Sequence, residues 1–338
     1  MTSRIVIYDK TGGAIAEIEA NVQRTWELNA YASATFMLAN NDLKAQEEFV
    51  QFGNFLVVEH EKLGSWAGMI DTPRDWGYRQ FTVHAYSAEY ILTKRRGPTS
   101  ATLEGSPGAV FQQMVELANQ AAPTLIQVGT VYSGGRTRKE PYNLENPYEA
   151  IKALAQGCGQ DWDVLPVFSA GGKLGFEANW YEKKGILQPI RLEETLNLEL
   201  LADPLVEQGD IVNDLVGFGS GGTWESRASV RLIDATSAGI YGTMQGSRAF
   251  DPDEEGTIEE NTRTALAKAA YPRRTFRIHA LDVGDLFYSL RPGNRLPLKT
   301  LNIGFTGGNF GMETVVRILG MTYDDISNKV EMVVDEDA

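Results

Sequence analysis

Apolar residues that recur at every second position constrain this chain more than any other feature. In WELNAYASATFMLAN they fall at Trp26, Leu28 and Ala30, and then at Ala34, Phe36 and Leu38. Side chains on a strand point to alternate faces, so such a run buries one face and leaves the other wet. The neighbouring stretches read the same way. RIVIYD and AIAEIEA are short runs with TGG between them, and NFLVVEHE, SWAGMIDTPRDW and RQFTVHAYSAEYIL come after. Aromatic and β-branched residues are frequent, and Gly or Asn-Asp marks the breaks. Residues 4–95 are therefore expected to be antiparallel β structure.

The period then changes. SPGAVFQQMVELANQAAP places Pro107 near a first helical position and Val110, Phe111, Met114, Val115 and Ala118 at helical spacing. NPYEAIKALAQG predicts a second helix, capped by Asn146 with Pro147 in its first turn, Glu149 completing a box-like cap and Gly157 as the stop. DWDVLPVFSAGGKLGFEANW reads as a hairpin around Ala170, Gly171 and Gly172. Strands resume near residue 190 with LNLELLADP, DIVNDLVGFG and RASVRLIDA. TIEENTRTALAKAAYP predicts a third helix, over about 257–271. Thr257 and Glu260 form its capping box, Ile258, Ala265, Leu266 and Ala269 line one face, and Pro272 stops it. RRTFRIHALDV, NRLPLKTLNIGF, ETVVRILGMTYDD and NKVEMVVDED close the chain as strands, the last two joined by DISN. The expectation is a mainly β protein with an α+β insertion: β units at 1–98 and 189–338, and a small α+β unit at 99–188.

Composition narrows the function. Acidic residues number 45 against 31 basic ones, a net charge of −14. That disfavours a surface built to grip nucleic acid, yet suits a wall past which nucleic acid slides without sticking. No stretch approaches the ~20 apolar residues of a membrane span. MTSRIVIYDKTGG lacks a secretory pattern, so synthesis and solubility in a cytoplasm are expected.

Candidate chemical sites are few. GFGSGG at 217–222 has the spacing of a dinucleotide loop through Gly217, Gly219 and Gly222. A phosphate-binding loop needs a helix directly after it. The residues after Gly222 are TWESRASVRLIDA, in which Ser229, Arg231 and Ile233 alternate with Val230, Leu232 and Asp234. No Lys-Ser/Thr pair is present there, and Asn213-Asp214 interrupts the preceding run. The glycines are expected to form a flexible turn between antiparallel strands. Asp161 and Asp163 share one strand face, as a paired-carboxylate site would, although a solvated edge is the commoner use of such a pair. DPDEEGTIEEN lacks the alternation of a calcium loop and reads as a solvated loop leading into a helix. Cys158 is the single cysteine and reads as a small buried side chain near a helix end; His60, His84 and His279 form no metal spacing. No catalytic residue, cofactor or metal is expected. The dense cationic stretch TKRRG, with Lys94, Arg95 and Arg96, suits a strand-end face, a phosphate contact or an interface for an acidic neighbour. The interface fits an acidic oligomer best, and Arg273, Arg274 and Arg277 offer the same use.

The order of these pieces resembles the baseplate hub or tail-tip hub proteins of tailed bacteriophages, a family that includes the central hub of contractile tails and the N-terminal part of siphophage tail-associated proteins. WELNAYASATFMLANND resembles the family's early strand pair. FGNFLVVEHEKLGSWAGMIDTP is similar to a later segment through Gly53, Val57, Trp66, Gly68 and Ile70, and RQFTVHAYSAEYILTKR to the strand after it. DIVNDLVGFGSGG looks like a strand and loop of the family. RLIDATSAGIYGTMQ matches its next segment through Asp234, Ser237, Ile240, Tyr241 and Gly242. ALAKAAYP, LRPGNRLPL and ETVVRILGMTYDD come next in the family's order, with Asn294 where the pattern often has Asp. The resemblance spans most of the chain, carried by the shared order of short patterns.

The resemblance implies a homotrimer in which each subunit supplies two barrel-like domains. Six such domains form a pseudo-hexameric ring that continues the hexameric tail tube. It implies a place in the virion tail tip or baseplate, assembly in the host cytoplasm, and the tube, distal tail, tape measure and tip or fibre proteins as partners, with viral DNA passing through unbound. The action implied is mechanical. A second class of reading is a distal tail protein or a receptor- or carbohydrate-binding adhesin, for which six tryptophans and thirteen tyrosines supply platforms, although their scatter along strands fits core packing. A third is a tail-associated peptidoglycan hydrolase or endopeptidase. The family carries such domains as C-terminal extensions, whereas this chain ends at VEMVVDEDA, directly after the last expected strand.

Overall fold

The computed structural model describes residues 3–336 except 222, 224–225, 253, 282–285, 307–308 and 328. Seven strands open the chain: β1 (Ser3–Tyr8), β2 (Ala14–Ala20), β3 (Val22–Glu27), β4 (Ser33–Ala39), β5 (Phe55–His60), β6 (Gly64–Trp76) and β7 (Gln80–Ser87). They lie in the order β3-β4-β7-β6-β5-β1-β2, every adjacent pair antiparallel. The Asp9 carboxylate closes the first turn by accepting from the Thr11 and Gly13 amides at 2.7 and 3.0 Å. Gly12 sits at φ 81°, and a Cβ there would stand 2.2 Å from the Leu174 carbonyl, so the turn requires glycine.

Alternation is strict only where one face is wet. On β4, Ala34, Phe36 and Leu38 are buried while Ser33, Thr35 and Met37 face outward. β1 and β5 are covered on both faces. Ile5, Ile7, Leu56 and Val58 enter one core with Phe36, Ile70 and Val83. Val6, Tyr8, Phe55 and Val57 enter a second with Phe111, Trp162 and Phe176. This explains the unbroken apolar runs IVIY and FLVV. The run WELNAYASATFMLAN is divided between β3 and β4, in keeping with its likeness to an early strand pair. Asn29 takes φ 60°, and β3 ends before Leu28. Asparagine tolerates that left-handed turn, and its carboxamide bonds Trp162 N and Asp161 at 2.8 and 2.9 Å.

After the short helix α1 (Glu89–Thr93), the middle of the chain forms β8 (Thr102–Gly105), α2 (Pro107–Ala121), β9 (Ile126–Val131), β10 (Arg138–Pro141), α3 (Pro147–Cys158), β11 (Asp161–Phe168) and β12 (Leu174–Tyr181). β11, β12 and β9 make a three-stranded sheet, and β10 pairs with β8. The Ser106 hydroxyl caps α2, and its stripe from Val110 to Ala118 is buried. Asn146 caps α3 as its sequence predicts, accepting from Tyr148 N at 2.9 Å. The stop is Gly159 at φ 68° rather than Gly157. Gly157 lies inside the helix, where a Cβ would come within 2.6 Å of Asn261 Oδ1, so glycine serves close packing there.

The last part comprises β13 (Leu192–Glu193), β14 (Leu198–Gln208), β15 (Asp214–Phe218), β16 (Ser229–Ile233), α4 (Ala235–Tyr241), β17 (Gln245–Ala249), α5 (Glu255–Ala269), β18 (Arg273–Ala280), β19 (Arg295–Thr306), β20 (Asn309–Asp324) and β21 (Lys329–Glu336). β15 is central in a second three-stranded sheet, antiparallel to β16 and parallel to β17, with α4 in the crossover. α5 packs on one face through Ala265 and Leu266 against Leu215. It begins two residues before the expected Thr257. Glu254 is the cap and accepts from Thr257 N at 2.9 Å, while Glu260 turns away to Arg138. β14, β18, β21, β20 and β19 surround a third core that includes Phe276, Leu296, Ile318 and Met332. The sixteen-residue β20 also pairs with β3, from Gly320↔Glu27 to Asp324↔Gln23. Thirteen strands thus form one sheet that joins the two ends of the chain. The fold is mainly β with few helices.

Candidate functional site: a charged cleft and two basic segments

Gly217 and Gly219 do not lead into a helix. β15 ends at Phe218 and the next regular element is the antiparallel β16, as the sequence predicts; Gly222 lies outside the described residues. A Cβ on Gly217 would stand 1.8 Å from Thr262 Oγ1, so this glycine admits α5 rather than a phosphate. The interrupting pair has structural duties. Asn213 Nδ2 donates to the Gly242 carbonyl at 2.8 Å, and Asp214 receives Arg231 through two bonds, at 2.7 and 2.5 Å. Those bonds, with one from Gln245, hold the Asp214 carboxyl down to about 2.

Asp161 and Asp163 are not at a solvated edge: both are buried. Asp161 accepts from Asn29 Nδ2, from Lys184 N at 2.8 Å and from the Arg317 guanidinium. Asp163 accepts from Asn179 Nδ2 at 3.1 Å and pairs with Lys184 Nζ at 2.7 Å. A carboxylate saturated by donors from three segments is a structural tie. Cys158 ends α3, donates to the Leu154 carbonyl at 3.0 Å, and burial pushes its thiol up to about 11, which makes it a poor nucleophile. Among the described residues, no group of three His, Cys, Asp or Glu is placed to hold a metal ion.

A cleft of about 500 Å³ lies between the middle of the chain and the sheet of β15–β17. β10 and α3 form one wall, α5 and the end of β17 the other. At its base lies Arg138, with its side chain 1% exposed. Its guanidinium donates to Glu140 at 2.6 Å, to Glu260 at 3.1 Å and to Asn261 at 2.9 Å. The residue therefore clamps β10 to α5. Burial raises the carboxyls of Glu140 and Glu260, opposed by Arg138. Burial, with the nearby Asp251 and Glu140, also raises Glu145. Arg248, Lys268 and Arg273 line the same cleft. Burial and the neighbouring cations Lys183, Arg273 and Arg248 lower the Lys268 ammonium. Among the described residues the walls carry both signs of charge and no nucleophile–base pair, so the cleft is suited to electrostatic docking.

The expected interface cations fall on two elements. Lys94, Arg95 and Arg96 come directly after α1. Lys94 Nζ stands 4.3 Å from the Tyr90 ring centroid, Arg95 donates to the carbonyls of Ala122 and Pro123 at the end of α2, and Arg96 is exposed. The other three lie along β18. Arg273 pairs with Asp335, Arg274 with Glu207 at 2.8 Å and Glu336 at 3.5 Å, and Arg277 is exposed. Strand alternation puts Arg274 on the face opposite Arg273 and Arg277. A further tie has no local signal in the sequence. Arg24 is buried in β3 and pairs with Asp325 at 3.1 Å, whose second oxygen accepts from Val22 N at 2.9 Å. The partners are 301 residues apart.

Similarity to solved structures identifies the fold: it is that of phage tail proteins. The prophage tail protein gp18 of Listeria monocytogenes matches with TM-score 0.64 and 12% identity over 99% of this chain and 96% of that one. The 43 kDa tail protein of prophage MuSo2 from Shewanella oneidensis matches with TM-score 0.62 and 12% identity, over 98% of each chain. A component of the type VI secretion system of E. coli, described as structurally similar to the T4 tail proteins gp27 and gp5, matches with TM-score 0.52 and 10% identity over 100% of this chain and 75% of that one. No family profile and no curated protein sequence matches.

Proposed function

We propose that this chain is a structural, non-enzymatic hub protein of a phage tail tip or baseplate. The observation that carries the reading is the end-to-end match, over 98–99% of this chain, to two prophage tail proteins of nearly the same extent. In this reading three copies form a ring. The β units at 1–98 and 189–338 of each copy act as two barrel-like domains, so six domains continue the hexameric tube into a threefold tip. Exposed sheet edges favour such closure, because an unpaired edge invites a neighbouring chain. The tube, distal tail, tape measure and tip or fibre proteins are the proposed partners. Lys94, Arg95, Arg96, Arg273, Arg274 and Arg277 are proposed contacts with acidic neighbours.

The channel role rests on charge. The outward face of β3, β4 and β7 presents residues such as Gln23, Thr25, Ser33, Thr35 and Thr82, with no lysine or arginine. Phosphate finds no lysine or arginine there, and His84 on this face is paired with Asp75 at 2.7 Å, so DNA passes a wall of this kind without the counterion release that drives binding. Immunogold labelling of intact tails tests the assignment. Label confined to one end of the tail is expected; label along the whole tube contradicts a hub. The adhesin reading has one feature in its favour. The β6–β7 hairpin tip exposes Trp76 by 68% and Tyr78 by 96%, and Trp76 stacks on Phe81 at 4.7 Å.

A further inference from the structure

Residues 235–247, ATSAGIYGTMQGS, contain no charged side chain, in a chain that is 22% charged. The structure places this stretch on the surface. Within α4 only Ser237 is buried, its hydroxyl donating to the Ala270 carbonyl. Ile240 is 62% exposed, and Ile233, Met244, Tyr241 and Tyr271 stand exposed with it at the same end of the β15–β17 sheet. The rings of Tyr241 and Tyr271 meet edge to face at 6.3 Å. Gly239 lies inside the helix, where glycine weakens it, and a Cβ there would meet nothing within 4 Å. Packing within this chain therefore does not require that glycine.

Exposed helices ordinarily carry charge, and a grouped apolar surface marks a docking site. The β6–β7 hairpin tip also exposes aromatics, but Arg74, Asp75 and Arg79 flank them. The α4 patch is bordered by one carboxylate, Asp234, which is already held: it caps α4 by accepting from Ser237 N at 2.9 Å and stands 3.4 Å from the Tyr271 hydroxyl.

We propose that the α4 patch is an interface between copies of this chain. Each copy carries a net charge of −14, so two copies repel across most of their surfaces. Approach is least opposed where the fewest charges meet or must be desolvated, and residues 235–247 bring none to this surface. The patch adds a contact to the self-association that the hub reading requires, and so rests on that reading.

The test is native mass over a range of concentrations, alone and with the tube protein, for the wild type, for Ile240→Asp with Met244→Asp, and for Ile326→Asp. Ile326 is exposed in the β20–β21 turn and serves as the control. The double variant is expected to associate at least tenfold more weakly with unchanged circular dichroism, and the control to associate as the wild type does. A double variant that associates normally overturns the patch and leaves the hub reading standing. Normal self-association with failure to join the tube assigns the patch to a different chain and overturns the proposal. A wild type that stays monomeric throughout overturns both patch and hub.

Discussion

Arg138 shows most clearly how single residues hold units of this fold together. It is fully buried and its three partners come from two units, so the clamp is worth more than its distances suggest. Removing the cation leaves Glu140 without its ion-pair partner and Glu260 with only the more distant Arg136 and Arg263. Breaking a buried pair by deleting one partner costs about 3–5 kcal/mol. Arg138→Ala is therefore expected to lower the unfolding free energy, measured by urea titration, by an amount of that order, and a loss below about 1 kcal/mol would show that water already fills the base of the cleft. The same site sets a pH dependence. Glu140, Glu145 and Glu260 have folded-state values raised above the ordinary 4.5. Between the ordinary and the raised value the folded chain binds more protons than the unfolded one. Their contribution is thus fully present below 4.5 and is lost as pH rises through the raised values. Asp214 acts in the opposite sense: its contribution is present above 3.8 and is lost as pH falls towards about 2. Replacing Glu145 with Gln is expected to flatten the fall in stability just above pH 4.5, measured by urea unfolding across pH. An unchanged slope would mean that Glu145 is solvated in the folded chain.

Elements differ in their function according to which faces they leave open. The outward face of β3, β4 and β7 carries no lysine or arginine, and the hub reading uses it as a wall. Thr35→Lys with Thr82→Lys places two ammonium groups on this face without touching the core. The variant is expected to retain duplex DNA at low salt and release it as salt rises, read by an electrophoretic shift; the wild type is expected to show none. Binding by the wild type would contradict a non-adhesive wall. Elements of this kind were legible in the sequence because their signals are local. Pro107 and Asn146 announce α2 and α3, and one-sided burial makes β4 alternate. Local signals also misled. Thr257 and Glu260 fit a capping box, but Glu254 caps α5 because Glu260 is drawn to an arginine from another unit. α4 gave no helical stripe because only Ser237 faces inward. Asp161 and Asp163 read as a wet edge because their partners, Asn29, Lys184 and Arg317, are remote in sequence.

At the scale of the molecule, one sheet runs through both ends of the chain, and the middle unit shares its core with β1 and β5. The pairing of β20 with β3 and the buried Arg24–Asp325 pair are long-range, so neither could be read from periodicity. They tie the first and last strands of the chain into one sheet, a scaffold of the kind the proposed hub role uses. That role has a direct consequence for mass. The most telling measurement is the native mass of the 37.3 kDa chain, alone and mixed with its tail tube protein. A trimer, or trimerisation on meeting the tube, is the result predicted. A chain that remains monomeric and indifferent to the tube contradicts the hub.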